Sequence, residues 1–230
     1  LIHRKIPEQL FGLMAAFEAR NDRFAILGDF VYMKLGASKG GARSISLSPR
    51  LTLGVSANFE ATAEIIIAEL AGAYELARWG SAAGSATSLD IYGGGRLWWQ
   101  QAEASLDVAA NLQILLPRRT FVISGTRAFA KSGDVDWIDP MVGLRLRHQF
   151  APGSELTLAG DVGGFGAGSQ FSWQALGAYR WTFAKTSTAI WSAMLGYRAL
   201  YVDYSKGSGD TLYAFDMLQH GPIMGISARF

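Results

Sequence analysis

Hydrophobic and polar residues alternate one for one along most of the chain, the period of a β-strand with two unlike faces. The clearest stretch is 171–183. Phe171, Trp173, Ala175, Gly177, Tyr179, Trp181 and Phe183 fall on one parity, and Ser172, Gln174, Arg180 and Thr182 on the other. The apolar parity carries aromatics near both ends and small residues between them. A strand covering a soluble core places its largest aliphatics centrally, whereas a strand crossing a bilayer has an aromatic girdle at each interface. Just upstream, Leu156, Leu158, Gly160 and Val162 alternate with Thr157, Ala159 and Asp161, and the Gly-rich segment 163–169 joins the two runs. Together they predict a transmembrane hairpin.

The same period organises the rest. Residues 1–9 show none and predict a loop or a remnant. From Leu10 a strand puts Phe11, Leu13, Ala15, Phe17 and Ala19 on one face, Asn21-Asp22 turns, and the return strand puts Phe24, Ile26, Gly28, Phe30 and Tyr32 outward with Asp29 inside. Residues 36–56, with Gly36, Gly40, Gly41 and Pro49, predict a longer connection, although 50–59 could prolong the next strand. That third strand spans about Ala57 to Leu76, with Ile65, Ile67, Glu69 and Glu75 inward, and a small-residue turn closes it at 80–88. A fourth begins near Leu89 with Asp90, Tyr92, Arg96 and Trp98 inward, and its pattern decays after Leu106 into a long connection, 107–134, through Pro117-Arg118-Arg119. The fifth, Val135 to Phe150, sets Asp139, Gly143, Arg145 and Arg147 against Ile138, Pro140, Val142 and Leu144. Pro140 lacks a backbone donor and predicts a bulge or a weak point in the ladder. After the hairpin come a strand through Trp191, Leu195 and Tyr197 with Arg198 on its other face, a loop at 205–211, and a last strand from Tyr213 to Phe230.

These elements predict an all-β fold, a transmembrane antiparallel up-and-down β-barrel of about ten strands, about nine of them visible, in one domain over 10–230. Short turns after Arg20, Trp79, Phe150 and Phe183 fall on one side, the periplasmic side of an outer-membrane barrel. Phe17, Phe24, Tyr74, Trp79, Phe150, Trp181, Phe183 and Phe230 cluster near that side, as an interfacial girdle requires. Single-chain bacterial barrels have even strand numbers, so one further strand is expected ahead of residue 1 or from residues 1–9.

Composition narrows the classes. Half of the 230 residues are hydrophobic, 17% are charged, and there is no Cys. No run reaches the roughly 18 apolar residues of a membrane helix, and the nearest candidate, 65–70, contains Glu69. A membrane-spanning form of this chain would have to be a closed barrel, since lipid leaves open sheet edges unsatisfied. The lack of Cys excludes a disulfide framework and a thiolate metal site, and a net charge of +2 gives no case for a nucleic-acid partner.

The inward parity carries Glu18, Asp29, Glu69, Asp90, Arg96, Asp139, Arg145, Arg147, Asp161, Arg180 and Arg198. Unpaired charges in a narrow lumen are costly, so guanidinium and carboxylate groups are expected to pair there. Such a network either fills and stiffens the lumen or lines a narrow solute path. About eight strands enclose only side chains, and open aqueous channels come with sixteen or more, which argues against a general porin. His3, His148 and His220 are the only histidines. No Ser-His-Asp set converges and no His pair has ligand spacing, so neither catalysis nor a metal is expected. The glycines of 92–96 and 163–169 lack the following helix of a nucleotide loop, so no cofactor is expected. Trp98 and Trp99 present their indoles to opposite faces, which argues against a ligand-stacking pair.

Segments 11–33, 93–99, 137–150, 158–181 and 195–204 resemble, in that order, a family of small Gram-negative outer-membrane β-barrel proteins of unassigned function. The motifs are D-V-G-G-F-G-x-G-S at 161–169, G-Y-R-x-L-x-V-D-Y at 196–204 and a terminal Arg229-Phe230. The resemblance implies an outer-membrane location, the barrel, and an additional amino-terminal strand, and it implies no reaction. The expected role is a structural or interaction platform embedded in outer-membrane lipid, meeting a protein partner through loops 36–56 and 107–134. A narrow channel for small solutes is the alternative, followed by an outer-membrane enzyme. A soluble lipid-binding barrel would need its large residues inside, against the pattern observed.

Overall fold

A computed structural model describes residues 9–48, 51–80, 84–116, 119–151, 153–207 and 213–230. Outside them lie residues 1–8 of the expected remnant and Pro49. Parts of the expected turns also lie outside: 81–83, Pro117-Arg118, Pro152 and 208–211. The chain is all-β, with nine strands and no helix among the described residues. They are β1 (Gln9–Asn21), β2 (Phe24–Ser48), β3 (Leu51–Gly80), β4 (Ala86–Leu116), β5 (Arg119–Ala151), β6 (Ser154–Gly163), β7 (Phe171–Lys185), β8 (Ile190–Lys206) and β9 (Tyr213–Arg229). They form one antiparallel up-and-down sheet in chain order.

Local chemistry sets the turns. Asp22, with φ 51°, takes the left-handed position between β1 and β2 that Asp and Asn tolerate best among non-glycine residues. Between β6 and β7, Gly164, Phe165 and Gly166 all have positive φ, and Ala167 N–H closes on the Gly164 carbonyl at 2.9 Å. From there β7 pairs back along β6 without a slip, Gly163 opposite Ser172 and Ser154 opposite Trp181.

Two expectations need correcting. The presumed loops 36–56 and 107–134 are strand: β2 continues to Ser48 and β3 starts at Leu51, while β4 continues to Leu116 and β5 starts at Arg119. Small and polar residues occupy both parities there, as in 37–44, and every described residue of 124–134 is exposed. With neither face buried there is no period to read, yet the backbone still pairs. Pro140, the expected bulge or weak point, falls at the edge of the β5–β6 ladder. The irregularity between β5 and β6 lies at Gln149 and Ala151, and Pro140 precedes their paired register with its carbonyl accepting Gly164 N–H at 3.0 Å.

The chain divides into two compact units. The first holds 1–14, 31–66 and 99–136. Only Val31, Ile65 and Gln100 are buried among its described residues. The second holds 15–30, 67–98 and 137–230, and so draws on all nine strands. In it the expected parity holds. Ala71, Ala73, Glu75, Asp90, Tyr92, Arg96, Trp98, Asp139, Asp161 and Arg198 are buried. Leu70, Ile91, Leu97, Ile138, Leu144, Tyr179, Trp181 and Leu195, on the other parity, are exposed. Side chains of strands that are not sheet neighbours meet on the buried face, Glu18 of β1 with Arg145 of β5 and Asp29 of β2 with Arg198 of β8. The sheet of this unit therefore curls around a shared interior.

Candidate functional site

That interior holds three groups of polar side chains, all within the second unit. The first is a closed ring. Arg198 Nε donates to Gln174 Oε1 at 2.8 Å, and Gln174 Nε2 donates to Asp161 Oδ2 at 3.2 Å. Arg96 bridges Asp161 Oδ1 at 2.7 Å and Glu69 Oε1 at 2.8 Å, and Arg198 Nη2 returns to the same Glu69 oxygen at 3.1 Å. Tyr92 OH adds a bond to Asp161 at 3.0 Å, and Arg198 Nη1 extends the ring to Asp29 at 2.7 Å. Arg96 and Asp161 side chains are fully buried. Two guanidiniums here face three carboxylates, so each cation is shared by two or more acceptors, an arrangement suited to Arg's planar fork.

A second group sits nearer the β1–β2 turn. Asp90 Oδ2 accepts from Arg20 at 2.9 Å and Arg145 at 2.8 Å, and Arg147 Nη2 stands in an ion pair with it at 3.1 Å. Glu18 accepts from Arg20 and Arg145 at 2.9 Å each. Asp90 Oδ1, Arg147 Nε and Arg20 Nη1 are buried without a hydrogen-bond partner. Convergence on one oxygen has left the other idle.

The third group contains no cation. Asp139 accepts from Ser169 N–H at 2.6 Å, Ser169 Oγ at 2.8 Å and Trp98 Nε1 at 3.0 Å. This pins the 163–169 turn to β5, and a Cβ at Gly168 would lie 2.3 Å from the Ile138 carbonyl oxygen, so only glycine fits that approach. Next to it Trp98, Trp137 and Tyr204 stack with centroids 5.5 and 3.9 Å apart.

Of the eleven charged residues expected inside, nine thus fall into the ring or the turn-side group. Asp139 departs from the expectation of an Arg partner, because the turn's N–H and hydroxyl and an indole satisfy it. Arg180 pairs separately with Glu155, at 2.6 Å, on the adjoining strand. Sequence reasoning missed Arg20, Gln174 and Glu155. Arg20 shares the parity of Glu18, and Gln174 that of Arg180, so alternation held a signal for both. Trp98 and Trp137 are a stacked pair that adjacent-residue reasoning could not find.

Among the girdle residues, Phe17, Phe24, Trp79, Phe150, Trp181, Phe183 and Phe230 are exposed, and Tyr74 packs against Phe24 at 4.9 Å. His148 Nδ1 lies 2.7 Å from Thr87 Oγ1, and His220 bonds the Tyr197 hydroxyl. Among the described residues no cluster of His, Asp and Glu is arranged to hold a metal ion, and no helix is long and apolar enough to cross a membrane. No protein-family model matches the chain, and no curated protein matches it.

Proposed function

We propose that this protein is a bacterial outer-membrane β-barrel whose lumen is closed by its own ion-pair network, and that it serves as a rigid scaffold for interactions. The observation that carries this reading is the closed ring Glu69–Arg96–Asp161–Gln174–Arg198, spanning the buried face while the opposite face exposes aromatics and aliphatics. Sheet with a polar inside and an apolar outside is the inverse of a soluble barrel and suits lipid. Exposed rings beside the turns at 22–23 and 186–189 suit a headgroup interface. The long hairpin stretches 31–48/51–66 and 99–116/119–136 are the surfaces offered to a protein partner.

A second reading, a narrow channel, draws on polar atoms of Asp90 and Arg147 without a hydrogen-bond partner, which leave hydrogen-bonding capacity for water or a small anion. Planar-bilayer recording separates the two. The scaffold reading expects an inserted, silent protein that begins to conduct when Arg96→Ala opens the ring. Discrete steps in the wild type, altered by Arg145→Ala, would replace it with the channel. Insertion itself is checked by brominated acyl chains, which should quench Trp173 and Trp181; quenching by aqueous agents alone would defeat the membrane placement.

A further inference from the structure

The outward face of the second unit carries a concavity of about 820 Å³ on β1–β5 near the β1–β2 turn. That is within the size range of small-molecule pockets. Its walls are Phe24, Ile26, Tyr74, Ile91 and Val142 with Asn21 at the turn end, and the lining also takes in Arg20 and Tyr92, whose polar groups are engaged by Glu18, Asp90 and Asp161. Its floor includes Gly72 and Gly93. The treatment of glycine on this face differs from place to place. The Phe17 ring lies over Gly28, so close that a Cβ there would meet it at 2.0 Å, whereas a Cβ at Gly72 would meet nothing within 4 Å. The same face that uses an aromatic to cover one glycine leaves the other open.

Exposed polar groups stand at one end only. Arg23 is exposed in the turn, and its carbonyl accepts Glu75 N–H at 2.8 Å, which sets it beside Tyr74 at the rim. Arg78 is already engaged by Glu75 at 2.8 Å. Asp22 adjoins Arg23 in the turn. An apolar trough ending in a cation, with a carboxylate beside it, is the complement of a molecule with a hydrocarbon tail and a phosphate that carries an ammonium group. We propose that this concavity binds one glycerophospholipid, its acyl chain over Gly72 and its phosphate on Arg23, the guanidinium fork matching phosphate oxygens. This inference rests on the outer-membrane reading, in which the β1–β2 turn is periplasmic and faces the phospholipid leaflet.

The test is native mass spectrometry of the protein released from phosphatidylethanolamine nanodiscs, comparing wild type with Gly72→Phe and Arg23→Ala. Gly72→Phe puts a ring into the space an acyl chain would fill and meets no neighbour as it leaves the backbone. The expected result is one phospholipid that survives activation on the wild type, with occupancy lowered about tenfold or more in each variant, as loss of a charge-assisted contact implies. Equal retention by all three proteins, or uniform loss, overturns the site. Quenching of Trp173 and Trp181 by brominated lipid in the same discs distinguishes the failures. If quenching holds while the retained lipid is indifferent to both variants, only the site is wrong. If quenching is absent, the membrane placement falls and the site with it.

Discussion

The ring and the turn-side group are built from the same two kinds of charge and differ in wiring. In the ring, Glu69, Asp161 and Gln174 each join two partners from different strands, so the bonds close on themselves and every member braces two others. In the turn-side group Arg20, Glu18, Arg145 and Asp90 also close on themselves, but three guanidiniums crowd two carboxylates and all three reach one oxygen of Asp90, whose second oxygen has no hydrogen-bond partner. Two cations spread over three carboxylates are each indispensable, whereas three cations crowded on two carboxylates are partly redundant. The difference is one of charge ratio, since distances in both groups run between 2.7 and 3.2 Å for most contacts.

Substitutions can break or sharpen that contrast. The largest effect is expected from Arg96→Met, which leaves Asp161 without a cation and Glu69 with Arg198 alone in the buried interior. Removing one partner of a buried pair costs about 3–5 kcal/mol, measurable as a fall in the urea midpoint of the reconstituted protein. A loss under about 1 kcal/mol would mean that the ring does not act as a unit. Next come Gly177→Arg and Leu176→Arg, neighbours on opposite faces. Gly177→Arg should cost about 2–4 kcal/mol if its position lies near the bilayer midplane. Leu176, directly across from Arg198, faces a group with three carboxylates and two guanidiniums, an excess of one negative charge, so an added cation is tolerated there. Equal losses would contradict the facing of β7. The smallest effect belongs to Arg147→Gln. Arg20 and Arg145 still hold Asp90, so the expected loss is about 1 kcal/mol or less, and a loss matching Arg96→Met would erase the distinction between the two wirings.

What the sequence revealed and what it hid follow from one physical cause. Alternation reports that a strand has one buried and one exposed face. Where that is true, as at 70–75, 89–98, 137–147 and 171–183, the residues inside were legible one by one. Along 37–46 and 124–134 no such asymmetry exists, and strands were read as loops. Cross-strand partnership was hidden for a different reason. Which inward residue meets which depends on how the sheet curls, and that placed Arg198 on Asp29 and Glu69 as well as on Gln174 of the neighbouring strand. Asp139 was read as one more ion-pair member because its real partners, Ser169 and Trp98, carry no charge to announce them.

The reach of Arg198 along the chain has a consequence for the order of assembly. Its bond to Gln174 spans 24 residues, but its bonds to Glu69 and Asp29 span 129 and 169. Contacts of short sequence separation form early, and those of long separation wait for loop closure. The hairpins β6–β7 and β7–β8 can therefore zip on their own, while Glu69 and Asp29 must be delivered to them by the other end of the protein. The Glu69 and Asp29 contacts are therefore expected to form after Arg198 has already met Gln174.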